Sequence, residues 1–155
     1  MSFMSGASVG LDTNVLLYTV DSQDANLCRR AQAIVRLAAE SDRCVIALQT
    51  VGEFYAAVTS RGLQSRDAAA QQARDWVRLF PVVEPRMGDA EDALAAAAVG
   101  RLSYWDGLLV ATLRRAGCTV LLSEDMQEGA NHNGVTIRNP FTGERLPAEI
   151  EALLG

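Results

Sequence analysis

The stretch VGLDTNVLLY, residues 9–18, guides the interpretation of the whole chain, because an apolar run ends in an acid, a hydroxyl and an amide and then becomes apolar again. We interpret residues 9–12 as a buried strand that carries Asp12 at its C-terminal end and is followed directly by a helix. Binding sites of open parallel sheets lie outside the carboxyl ends of the strands, so Asp12 is well placed to belong to a polar site. Thr13 and Asn14 are suited to this junction, since their side chains can bond free amides of the first helical turn. This stretch alone leaves open that Asp12 is only a helix cap.

Short apolar segments alternate with helical patterns along the rest of the chain. Further strands are predicted at 43–48, 81–85, 119–122 and 134–138, and helices at 26–39, 49–60, 65–79, 88–99, 108–116 and 146–154. This alternation indicates a parallel sheet covered by helices on both faces. We therefore expect an α/β fold with about five strands, in a single domain of residues 1–155 whose first seven residues form a loose lead-in.

The composition excludes several classes of protein. No apolar run approaches the roughly 20 residues that span a bilayer, so we expect no membrane partner. All 14 basic residues are arginines, which excludes mechanisms that need a Schiff-base or phosphate-binding lysine. His132 is the only histidine, so no mechanism within one chain can use two. The three cysteines are widely spaced without a C-x-x-C pair, and we expect them to act as small hydrophobic residues in a reducing cytoplasm rather than to hold zinc.

Three further acids stand at the ends of predicted elements. Glu53 lies near the start of the helix at 49–60, where the helix dipole favours a carboxylate. Asp106 follows Ser103 in an S-x-x-D pattern that fits a helix capping box. Asp125 follows the strand at 119–122 directly after Ser123 and another acid. Dipole and capping roles explain Glu53 and Asp106 without a shared site, and this alternative stays open for each acid taken alone.

Taken together, the four acids are expected to converge. Asp12 and Asp125 follow parallel strands, while Glu53 and Asp106 begin helices that leave the same edge of the sheet. Carboxylates gathered in a partly buried place raise one another's pKa or bind a cation. A set of ligands without histidine or cysteine suits Mg²⁺ or Mn²⁺, and one or two such ions are suited to hydrolyse a phosphodiester.

The blocks that contain these acids resemble those of PIN-domain ribonucleases, specifically the VapC-type toxins of bacterial and archaeal toxin–antitoxin pairs. The matching blocks are DTNVLLY at 12–18, QTVGEF at 49–54, SYWDGLLVA at 103–111, LSEDMQEG at 122–129 and GVTIRNPF at 134–141. They occur in the family's order and cover nearly the whole chain. Each block is weakly specific alone, but the series is specific.

The resemblance implies a site and a function. It assigns Asp12, Glu53, Asp106 and Asp125 to the binding of Mg²⁺ or Mn²⁺ and to catalysis. In a supporting role, Thr13, Asn14 and Ser123 would orient ligands or metal-bound waters, and Glu124 would either assist or face solvent. The implied substrate is RNA, the implied partner is an antitoxin that covers the site, and the implied assembly is a homodimer. The implied fold is a parallel sheet of about five strands with flanking helices.

The net charge of −5 opposes a large sequence-independent surface for nucleic acid. Two divalent ions at the four acids would reduce the formal charge to about −1. Local arginines such as Arg61, Arg66 or Arg101 could then contact RNA, although a solvated surface role is the simpler explanation of each.

Two other kinds of protein share features with this chain. Haloacid-dehalogenase-like phosphatases and receiver domains also place an Asp after the first strand, but both use a lysine that this chain lacks. A PIN-like module that only docks a protein partner is the remaining alternative, and the complete set of acids argues against it.

Overall fold

The structure is a computed structural model that describes residues 8–155, so the expected lead-in at residues 1–7 lies outside the described residues. The strands are β1 (Ser8–Leu11), β2 (Cys44–Ala47), β3 (Val82–Val83), β4 (Cys118–Leu122), β5 (Asn131–His132) and β6 (Val135–Arg138). The helices are α1 (Thr13–Tyr18), α2 (Ala25–Glu40), α3 (Leu48–Ser60), α4 (Arg66–Leu79), α5 (Met87–Ala98), α6 (Tyr104–Arg115) and α7 (Ala148–Leu154). Within the described part of the chain, none of these helices is long and apolar enough to cross a membrane.

The strands form one sheet in the order β3-β2-β1-β4-β6-β5, and every pairing except β5–β6 is parallel. The expected α/β fold with a mainly parallel sheet is therefore confirmed. β1 lies inside the sheet between β2 and β4, so the chain's opening stretch contributes a central strand.

Among the described residues, the sheet has six strands, one more than the five expected. β5 pairs antiparallel with β6, with Asn131 opposite Thr136 and His132 opposite Val135. The connecting residues Asn133 and Gly134 both have positive φ, 54° and 100°, as the tightest hairpin turns require. A strand of two polar residues carries no apolar pattern, which is why it escaped prediction, although the Asn-Gly pair is itself a hairpin signal.

Both faces of the sheet are buried, as the sequence indicates. Along β2, Cys44 and Ile46 pack into one hydrophobic cluster, while Val45 and Ala47 pack into another. The first cluster contains residues of α1, α2, α3, α4 and α7. The second contains α6 residues, and α5 covers α6 in turn.

The cysteines fit their expected role. Cys44 and Cys118 are buried, and all three cysteines are free thiols. Burial raises the pKa of the Cys44 thiol to about 11 and that of the Cys118 thiol to about 12. Both therefore stay protonated at neutral pH and pack as small apolar groups.

The pairing of β1 with β4 positions the site. Leu11 pairs with Leu122, and the amide of Asp12 donates to the carbonyl of Leu122 at 3.0 Å. The residues that follow the two strands therefore emerge side by side. α3 begins immediately after β2, the neighbour of β1 on its other side.

Candidate functional site

Asp12 is both a helix cap and a member of a polar cluster, so the two interpretations of this residue are compatible. Its Oδ1 accepts from the amide of Thr13 at 2.7 Å, which caps α1. Its Oδ2 accepts from the buried hydroxyl of Ser123, also at 2.7 Å. Burial raises the pKa of Asp12, and the negative charges of Glu53 and Asp106 raise it further, while the two hydrogen bonds act in the opposite direction.

The loop after β4 is held by two side chains of α1. Asn14 donates from Nδ2 to Oδ2 of Asp125 at 2.9 Å, and the Tyr18 hydroxyl donates to Oε1 of Glu124. Asn14 and Tyr18 are four residues apart, so they lie on the same face of the helix. Burial, followed by the contact with Glu124, raises the pKa of Tyr18, which keeps its hydroxyl protonated as a donor. Glu124 is thus engaged by Tyr18 rather than only facing solvent.

Glu53 lies farther along its helix than expected. It is the sixth residue of α3, and the first turn of that helix contains no acid, so the proposed stabilisation by the helix dipole is wrong. Its side chain is exposed, and Oε1 accepts from the Thr13 hydroxyl at 3.4 Å. A polar contact across 40 residues therefore links this acid to the residue that follows Asp12.

Asp106 lies in the first turn of α6, as expected, and its amide donates to the hydroxyl of Ser103 at 3.1 Å. Within residues 8–155, the reciprocal bond from the Ser103 amide to the Asp106 carboxylate is absent. The capping box is therefore half formed. The carboxylate of Asp106 is left to face the polar cluster.

All four predicted acids line one cleft of about 480 Å³, which we call the acid cleft. Thr13, Asn14 and Gln49 contribute polar groups to its wall, and Leu109 with small residues of α3 contributes apolar surface. No basic side chain is among the described residues that line it. The negative charges that meet there make the acid cleft a suitable environment for a cation.

The acids share a cleft but do not meet at one point. In the part of the chain that the structure describes, no group of three or more His, Cys, Asp or Glu side chains has the spacing of a metal site. The donor set is nonetheless entirely oxygen, which suits Mg²⁺ or Mn²⁺. Glu53 and Asp125 are exposed, whereas Asp12 and Asp106 are partly buried.

Gln49 is a site residue that the sequence analysis did not assign. Its Nε2 donates to the carbonyl of Trp105 at 3.1 Å, which joins the first turn of α3 to the first turn of α6. It lies one turn before Glu53 on the same helix face, and it also lines the acid cleft. The spacing Q-x-x-x-E in the second block contained this signal, since residues four apart on a helix are neighbours.

The comparisons with known proteins agree on one fold. The PIN domain family model matches residues 9–127, a range that contains all four acids. No curated protein sequence matches the chain significantly.

Three solved structures illustrate the likeness. VapC20 of Mycobacterium tuberculosis, described as a toxin that cleaves the sarcin-ricin loop, has a TM-score of 0.63 at 17% identity over 76% of this chain and 90% of its own. PAE2754 of Pyrobaculum aerophilum has a TM-score of 0.60 at 16% identity over 96% and 93%. DNA-bound VapBC of Salmonella typhimurium has a TM-score of 0.60 at 15% identity over 86% and 98%. At identities this low, the likeness to these structures shows a shared fold alone.

The family model covers well over half of the chain, and the sheet order and similar structures agree with it. The chain belongs to the PIN domain family.

Proposed function

We propose that this protein is a metal-dependent endoribonuclease that hydrolyses RNA phosphodiesters and acts as the toxin of a toxin–antitoxin pair. The observation that carries the proposal is the convergence of four carboxylates, from four separate segments, on the acid cleft. Family membership supports a nuclease, and the likeness to VapC20 and VapBC supports a toxin.

Asp12, Glu53, Asp106 and Asp125 would hold Mg²⁺ or Mn²⁺ in this proposal. A divalent ion supplies two things there: it makes water more acidic, and it neutralises charge on the phosphoryl oxygens. The raised pKa of Asp12 supports a cation, because its burial and its acidic neighbours disfavour an uncompensated carboxylate.

The polar neighbours of the acids act as positioning residues. Ser123 and the Thr13 amide orient the two oxygens of Asp12, and Asn14 holds Asp125. The bond from Tyr18 to Glu124 keeps the loop after β4 against α1, so we assign Glu124 a supporting role rather than a ligand role. Such contacts matter because partners that orient metal ligands typically contribute 10–100-fold to affinity or activity.

We also propose a protein partner, an oligomeric state and a cellular compartment for this chain. The fold of this chain is similar to that of VapBC, and we propose that an antitoxin protein binds this chain and blocks the acid cleft. We also propose a homodimer, in common with the family that the sequence resembles. The buried free thiols fit a reducing cytoplasm.

The decisive experiment is cleavage of a total-RNA mixture by the purified protein with Mg²⁺, with Mn²⁺ and with EDTA. The Asp106→Asn variant tests the site, and Asp67→Asn is a matched control because Asp67 is exposed in the first turn of α4 and is not among the residues that line the acid cleft. We expect discrete fragments only with a metal ion, from the wild type and from Asp67→Asn. Circular dichroism should show that both variants are folded.

Two results would count against the proposal. If the folded wild type cuts no RNA, the module that only docks a protein partner becomes the better explanation. If Asp106→Asn cuts as well as the wild type, the activity comes from a contaminant. The toxin assignment has its own test, since induced expression should arrest bacterial growth for the wild type but not for Asp106→Asn.

A further inference from the structure

A second cleft adjoins the acid cleft and shares two of its acids. It has a volume of about 280 Å³, and Asp106 and Asp125 belong to both walls. We call it the flanking cleft. The polar residues that line it beyond the shared acids are Arg101, Ser103, Gln127 and His132. A ligand bound at the acids can therefore continue directly into it.

The two clefts differ in charge. The described lining of the acid cleft contains no basic side chain, whereas the flanking cleft contains Arg101 and the only histidine of the chain. An RNA strand carries a negative charge at every nucleotide, so its binding beside four carboxylates needs cationic contacts. The flanking cleft supplies one such contact, the guanidinium of Arg101, next to Asp106 and Asp125.

The backbone of Arg101 is held by hydrogen bonds, whereas its side chain is available to a ligand. Its amide donates to the carbonyl of Ala96 at 3.0 Å, and the amide of Gly100, where φ is 70°, donates to the carbonyl of Ala97 at 3.0 Å. These two bonds form the Schellman motif that ends α5. Within residues 8–155, the exposed guanidinium of Arg101 forms no hydrogen bond or ion pair.

The two arginines at the end of α6 contact other parts of the fold. Arg114 donates to the carbonyl of Asn133 at 2.8 Å, and Arg115 pairs with the buried Asp89 at 3.0 Å. Arg101 is thus held close to the acids while its five donors stay available, and a guanidinium matches the geometry of a phosphate group.

His132 lies in the same wall as Arg101. Its Nδ1 atom is buried and has no hydrogen-bond partner in the described structure. Five other side-chain atoms of the described residues are also buried without a partner, so Arg101, rather than His132, is the group that the flanking cleft offers to RNA.

We propose that the flanking cleft binds the stretch of RNA next to the bond that is cut, with Arg101 donating to a backbone phosphate. The inference rests on the proposed function, since the acid cleft must hold the reacting phosphate. Arg101 would thus offer the substrate a cationic contact, which the four acids cannot. The bound RNA strand would run from the acid cleft towards β5.

The test measures RNA binding separately from cleavage. Asp106→Asn is the inactive background for every variant, and the probe is a fluorescein-labelled single-stranded RNA of mixed sequence in buffer with Mg²⁺, followed by fluorescence anisotropy. Arg101→Gln should weaken binding about tenfold, as expected for the loss of one charged hydrogen bond. It should also reduce the slope of log affinity against log salt by about 0.7, the value for one phosphate contact on a single strand.

Matched variants separate a local contact from a general effect of charge. Arg36→Gln makes the same change at an exposed residue of α2 that lines neither cleft, and it should alter affinity by less than about twofold. Gln127→Arg adds a guanidinium inside the flanking cleft and should strengthen binding. Gln23→Arg, at an exposed loop position, should not.

The outcomes distinguish this inference from the proposed function. Equal affinities for Arg101→Gln and Arg36→Gln would overturn the inference, even if the wild type cleaves RNA. Binding that depends on Arg101 would support it, even if the wild type cleaves nothing, in which case only the hydrolytic function fails. If the wild type does cleave, Arg101→Gln made without the Asp106 change should raise KM more than it lowers kcat.

Discussion

The substitution Asp12→Asn should stabilise the metal-free protein while abolishing its activity. Asn caps helices about as well as Asp, and its one side-chain oxygen and one nitrogen occupy nearly the same space as the two carboxylate oxygens of Asp. The change therefore preserves the cap of α1 but removes a charge that burial, Glu53 and Asp106 all disfavour. We expect a gain on the order of 1 kcal/mol in the free energy of unfolding at pH 7, or about 2–4 °C in Tm for a chain of this size.

The sign of the pH dependence follows from the raised pKa of Asp12. A carboxyl whose pKa is higher in the folded state than its ordinary value of 3.8 favours folding while it is protonated. That contribution is complete below about pH 3.8 and is lost as the pH rises through the folded-state pKa. The advantage of Asp12→Asn over the wild type should therefore be largest near neutral pH and should shrink towards pH 4.

The assay is thermal unfolding in EDTA between pH 4 and pH 8, with Asp24→Asn as the matched control. Asp24 is likewise an N-cap aspartate, on α2, but it is exposed, so its replacement should change Tm by less than about 1 °C. Added Mg²⁺ should raise the Tm of the wild type more than that of Asp12→Asn, because a ligand that binds only the folded protein stabilises it. A Tm for Asp12→Asn at or below that of the wild type at pH 7 would refute the argument that burial and repulsion dominate at Asp12.

Two further predictions concern the site and the sheet. Ser123→Ala removes the 2.7 Å bond to Asp12 and should lower Mn²⁺ affinity by about 10–100-fold in calorimetric titrations; a change below twofold would show that Ser123 does not orient the carboxylate. Gly10→Ala should destabilise the fold by about 1–3 kcal/mol in urea unfolding, because the added Cβ would lie 2.6 Å from a methyl group of the fully buried Leu113. Gly52→Ala is its matched control of opposite sign, since no described atom beyond its chain neighbours and the backbone of α3 lies within 4 Å of the added Cβ, and alanine favours α3 by about 1 kcal/mol; equal effects at the two glycines would contradict the packing argument.

Local patterns were sufficient for most of the fold. The stretch 9–18 predicted a strand over 9–12 that is followed directly by a helix, and the structure has β1 at Ser8–Leu11 and α1 at Thr13–Tyr18. Apolar runs of four to six residues indicated strands buried on both faces, and the alternation with helices indicated a parallel sheet. These features depend on neighbours along the chain, so the sequence contains their full signal.

The missed strand and the misplaced acid show where local patterns are weak. β5 has only two residues, both polar, and it is held by the turn at Asn133 and Gly134 rather than by an apolar face. Glu53 was placed too close to the helix start, because α3 begins at Leu48 directly after β2 without a capping side chain to mark the junction. Single-residue boundaries of this kind are set by how the chain packs.

By itself, the sequence determined the α/β class, the four separate segments that carry the acids and the absence of lysine chemistry. Only the tertiary structure decided which atoms meet. Ser123 contacts Asp12 and Asn14 contacts Asp125, each across 111 residues, and Tyr18 contacts Glu124 across 106. These contacts exist because β4 pairs with β1, and no local pattern specifies which strands become neighbours.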